Sequence, residues 1–136
     1  MALPNGAGGY QVGDGNRNEL RLGYASAPQT ATSTATLTAA QVTGGVLVAN
    51  PSTSAATYTL PTAAAIDAVV TSATVGSTFD WVLVNTGTSS GAVTLSMGTG
   101  LTDGGNAVVA VAVTSSAQFR FRKTGDAAWT VYKIAG

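Results

Sequence analysis

The chain has 136 residues, enough for one hydrophobic core with little left over for a second. Six Lys or Arg balance six Asp or Glu, and charged residues are 9% of the chain, against roughly 25% in an average soluble domain. Nucleic-acid binding draws most of its affinity from clustered cations facing phosphates, so six basic residues offset by acids argue against it. With no Cys and no His, disulfides, thiolate metal sites and Ser-His-Asp or Cys-His triads are excluded.

Residues 1–30 read as an extended, glycine-rich N-terminal arm. They contain Asn5-Gly6-Ala7-Gly8-Gly9, Pro4 and Pro28, and no helical or strand period persists through them. Within the arm, Leu20, Leu22 and Tyr24 alternate with Arg21 and Gly23, which predicts a strand able to pair with another sheet. No basic stretch followed by an apolar run opens the chain, so no secretory signal is expected. The longest apolar run, Ala107 to Val113, falls far short of the ~20 residues needed to cross a bilayer.

Residues 31–136 read as one β-domain. Ala31 to Leu37 begins a strand, Val46 to Ala49 is a second, and Tyr58 to Leu60 a third. Pro61 and Thr62 then open one short helix over Ala63 to Val70, where Ile66, Val69 and Val70 share a face. Ser77 to Asn85 is the clearest strand, with Phe79, Trp81 and Leu83 on one side. A Gly/Ser turn leads to Val93, Leu95 and Met97, read as its hairpin partner. Gly98 to Asn106 is expected to be a loop, and Val109 to Val113, Ala117 to Lys123 and Trp129 to Ile134 three further strands. Many short strands with Gly/Ser/Thr turns predict an all-β, jelly-roll-like β-sandwich or barrel, and no internal repeat stands out.

Chemistry is left to carboxylates: Asp14, Glu19, Asp67, Asp80, Asp103 and Asp126. A hydrolase would need two of them paired across a cleft, and nothing in the spacing selects a pair. Asp14-Gly15-Asn16-Arg17-Asn18 opens like a calcium loop, but the sixth position is Glu19 where Gly is required and the twelfth is Ala25 where Glu is required. Gly98-Thr99-Gly100 lacks the third glycine and the following helix of a dinucleotide site. No catalytic residue, metal or cofactor is therefore expected. Arg120, Arg122 and Lys123 form the basic cluster, and alternation with Phe119 and Phe121 makes them the outer face of an amphipathic strand. Arg120, Arg122 and Trp129 are the candidate contacts to a partner or a glycan.

Tyr58-Thr59-Leu60-Pro61, Val75 to Phe79 running into Val82-Leu83-Val84-Asn85-Thr86-Gly87, Ala92 to Leu95, Phe119 to Phe121 and Ala128 to Val131 carry a resemblance to small bacteriophage β-domains. From about Thr36 onward, the order of elements resembles capsid decoration (cement) proteins and the domains that end phage fibres. The resemblance implies a homotrimer made in the host cytoplasm that sits on the outer capsid surface and locks neighbouring major capsid protein subunits together. It implies no role for nucleic acid or membrane. Asn16, Arg17, Glu19, Leu20, Arg21, Leu22 and Tyr24 would then be the capsid-binding arm. The alternative is a fibre-tip module that recognises host glycans through Trp129 or Tyr132.

Overall fold

A computed structural model describes residues 22–136 of the chain. Three short strands, β1 (Gln29–Ala31), β3 (Val46–Ala49) and β5 (Thr78–Asn85), lie parallel in one sheet. Three others, β2 (Ala35–Thr36), β4 (Ala56–Thr59) and β6 (Val93–Ser96), lie parallel in a second. The chain alternates between the two sheets, so β1–β2, β3–β4 and β5–β6 are successive turns of a coil. Helices α1 (Ala39–Thr43) and α2 (Ala63–Val69) return the first two turns to the larger sheet. Corner hydrogen bonds repeat from turn to turn. Asn50 N–H donates to Ala31 and Thr86 N–H to Ala49, both at 2.8 Å, and Leu37 N–H to Thr59 and Leu60 N–H to Ser96 at the same distance.

Antiparallel β8 (Ser115–Gly125) and β9 (Ala128–Ala135) close the larger sheet, and β7 (Leu101–Gly105) pairs parallel to β9 at its edge, in the order β1-β3-β5-β8-β9-β7. The protein is thus β-rich, as expected. Its parallel coil departs from the jelly-roll order, whose sheets are antiparallel. Val93 to Ser96 is likewise not the hairpin partner of β5. The segment between them is a corner that carries the chain into the other sheet, where β6 pairs with β4. No repeat marks the coil in the sequence because its turns differ in length: the step from Leu47 to Leu83 is twice that from Gln29 to Leu47.

Both helices are specified locally. Thr38 caps α1 by accepting from Gln41 N–H at 3.2 Å while the Gln41 side chain accepts from Thr38 N–H at 2.8 Å, a reciprocal capping box. Thr62 caps α2 by accepting from Ala65 N–H, directly after Pro61. The expected helix is α2, and α1 is an addition. Two further expectations fail: Gly98 to Asn106 contains β7, and Val109 to Val113 contributes only a single bridge from Val111 to Val93.

The core lies inside the coil. Leu47, Trp81, Leu83, Phe119, Phe121, Trp129 and Val131 project from the six-stranded sheet and meet Val42 and Ile66 of the helices and Tyr58, Leu60, Val93 and Leu95 of the smaller sheet. Phe79 stacks on Phe121 at 4.8 Å between centroids, and Trp81 meets Phe121 edge-on at 6.2 Å. Each buried tryptophan also satisfies its indole N–H on a helix: Trp81 donates to the Gln41 carbonyl at 3.0 Å and Trp129 to Asp67 at 2.8 Å.

Candidate functional site

The candidate arm reaches the described structure only at its end. Asn16, Arg17, Glu19, Leu20 and Arg21 lie outside the described residues. Leu22 and Tyr24 are 86% and 96% exposed, on a stretch that joins no strand before Gln29. Pro28 directly precedes β1, which starts at Gln29 and so slightly ahead of the domain boundary expected at residue 31.

The basic cluster divides. Arg120 and Arg122 project from the outer face of β8, opposite Asp80 and Thr78 of β5. Arg120 grips Asp80 with both ends of its guanidinium, Nε to Oδ1 at 2.7 Å and an Nη to Oδ2 at 3.0 Å, and Gln118 adds a third bond at 3.2 Å. The guanidinium holds the Asp80 carboxyl below its usual range, and the carboxylate raises the Arg120 pKa in return. Arg120 is therefore paired within the chain, with its side chain still 47% exposed. Arg122 stands exposed beside it.

Lys123 points the other way. It is 7% exposed, and its ammonium donates to Asp67 Oδ1 at 2.6 Å, 5.6 Å from the Trp129 ring centroid. Asp67 also accepts from the Trp129 indole at 2.8 Å and from Ala127 N–H at 2.8 Å. These donors, the Lys123 ammonium first, lower the Asp67 carboxyl to about 2. One carboxylate thus latches α2 onto the β8–β9 hairpin. Trp129, 1% exposed, belongs to this latch and to the core, which corrects its reading as a glycan contact. Tyr132 is half-buried, with its ring beside Gly104 of β7.

Asn85 is the polar core residue that sequence reasoning missed. Although 1% exposed, its side chain shares its two amide N–H groups among the carbonyls of Gly91, Val111 and Ala112 at 2.9, 3.1 and 3.1 Å and accepts from Gly87 N–H at 2.8 Å. It lies on the Trp81 and Leu83 side of β5, so the same alternation that defined the core face predicts a buried amide there. Among the described residues, no three acidic side chains gather in a group that could hold a metal ion, and no helix is long and apolar enough to cross a membrane. Compared with protein-family models, curated proteins and solved structures, the chain matches none.

Proposed function

We propose that the protein is a viral structural protein, a decoration module that binds the outer surface of a phage head and ties neighbouring major capsid protein subunits together. The observation that carries this reading is the pair Leu22 and Tyr24, the most exposed of the large apolar side chains among the described residues, on the stretch ahead of the domain. Burying such a side chain stabilises a complex by about 1.5–3 kcal/mol, so an arm of this kind gains most by lying against another protein. Trimerisation would multiply the gain, since the second and third arms bind at high effective concentration once the first is seated.

The domain supports the same use. Its low charge and its internally paired Asp80–Arg120 and Asp67–Lys123 leave a surface suited to packing against copies and neighbours. The fibre-tip alternative loses support, because Trp129 is buried in the core. The test compares co-sedimentation of the intact chain and of residues 29–136 with heads lacking the protein. Binding by the intact chain alone is expected, and full occupancy by the truncated chain would refute the role of the arm.

A further inference from the structure

We infer that the groove between the end of β5 and the start of β8 binds a neutral saccharide. It has a volume of about 600 Å³ and is lined by Val84, Asn85, Thr86, Thr114, Ser115 and Ser116. It is open to solvent along its length, so a ligand lies in it with one face in water.

The lining selects the ligand class. None of these six residues carries a charge, so among the described residues the groove offers neither the cations an anion needs nor the carboxylates a metal ion needs. What it offers is hydroxyls, each both donor and acceptor, beside the one apolar side chain of Val84. A pyranose is built to match, with a rim of hydroxyls and a face of C–H groups. Thr86 Oγ1 donates to the Ala49 carbonyl at 2.9 Å and Thr114 Oγ1 to Val113 at 2.7 Å, which leaves their lone pairs to accept from sugar hydroxyls. Ser115 and Ser116 are exposed at the start of β8.

The groove is also held in shape before anything enters it. Asn85, one of its lining residues, ties the segment after β5, through Gly87 and Gly91, to the segment before β8, through Val111 and Ala112. The second segment ends at Thr114, a β-branched residue at φ 53°, a left-handed conformation that such residues rarely adopt. Strain of this kind persists where the surrounding structure enforces it, and it clusters at binding sites. A rigid groove loses little entropy on binding, which favours weakly bound small ligands. The inference is independent of the proposed function, since none of the six residues it is argued from belongs to the arm.

The test is an NMR titration of amide resonances in the intact chain with maltose, cellobiose and N,N′-diacetylchitobiose, repeated on the double variant Ser115→Ala, Ser116→Ala. Both serines are exposed, so the variant keeps its fold, which its unperturbed core resonances verify. The expected result is saturable shifts with at least one sugar, confined to residues 84–91 and 111–116 and weakened at least tenfold in the variant. Absence of saturable shifts with all three sugars, shifts centred elsewhere, or unchanged binding by the variant would each overturn the assignment.

Discussion

Replacing Asn85 by Leu keeps the branching of the side chain, puts two bulkier methyl groups in place of the amide oxygen and nitrogen, and removes every hydrogen bond the amide makes. Ala112 is exposed, so water replaces the lost bond there, and the Val111 carbonyl still accepts from Val93 N–H at 3.0 Å. Gly87 N–H and the Gly91 carbonyl are buried and lose the partner that Asn85 gave them. A buried group left unsatisfied costs about 1–3 kcal/mol, and the added apolar burial returns part of that, so a net loss of about 2–4 kcal/mol is expected. With a urea m-value of roughly 2 kcal/mol/M, the unfolding midpoint falls by about 1–2 M, measured by circular dichroism. Asn85→Asp separates hydrogen bonding from shape. It can still accept from Gly87 but turns a carboxylate toward three carbonyls, and burial raises its pKa above the unfolded value. Its stability is then highest below the unfolded carboxyl pKa and falls as pH rises toward the folded one. A midpoint for Asn85→Leu within about 0.25 M of the parent, which is about 0.5 kcal/mol at that m-value, would refute the reasoning.

The Asp67 latch gives the opposite pH dependence. Its folded pKa of about 2 lies below the ordinary carboxyl value of 3.8, so its contribution is complete above that value and is lost as pH falls toward 2; acid unfolding curves of Asp67→Asn should lack this slope. The same variant should destabilise the fold more than Lys123→Met, because it leaves the buried ammonium without its carboxylate, a ranking that urea midpoints at neutral pH will check. Phe121→Ala removes a fully buried ring stacked on Phe79 and should cost about 3–5 kcal/mol by the same assay. Gly104→Ala places a methyl 2.5 Å from the Tyr132 ring and 2.6 Å from the Thr130 methyl, so a loss of about 1–3 kcal/mol and an altered Tyr132 near-ultraviolet signal are expected.

Elements with a persistent inside–outside alternation are legible in the sequence. Phe79, Trp81 and Leu83 on β5 and Phe119 and Phe121 on β8 face the core as their spacing requires. The same count of two turns Lys123 inward with the phenylalanines, and grouping it with Arg120 and Arg122 by charge hides that. The α1 helix announces itself by Thr38 and Gln41 at capping-box spacing, yet its five residues bury only Val42, too little apolar pattern to register. At the sheet edge, Thr102 to Gly105 of β7 are exposed and carry no apolar alternation, so nothing local marks a strand. The parallel coil depends on partners far apart along the chain and on turns of unequal length, information that no short window contains. Of the candidate site, the pairing of Arg120 with Asp80 and of Trp129 with Asp67 belongs to that same class of distant contacts.

The central claim is attachment to a phage head, and quantitative sedimentation of the purified, intact chain with heads stripped of it tests that claim most directly. The account predicts saturable binding at a fixed number of copies per particle. Pelleting no greater than that of an unrelated protein, at concentrations where the chain is folded and soluble, would contradict it.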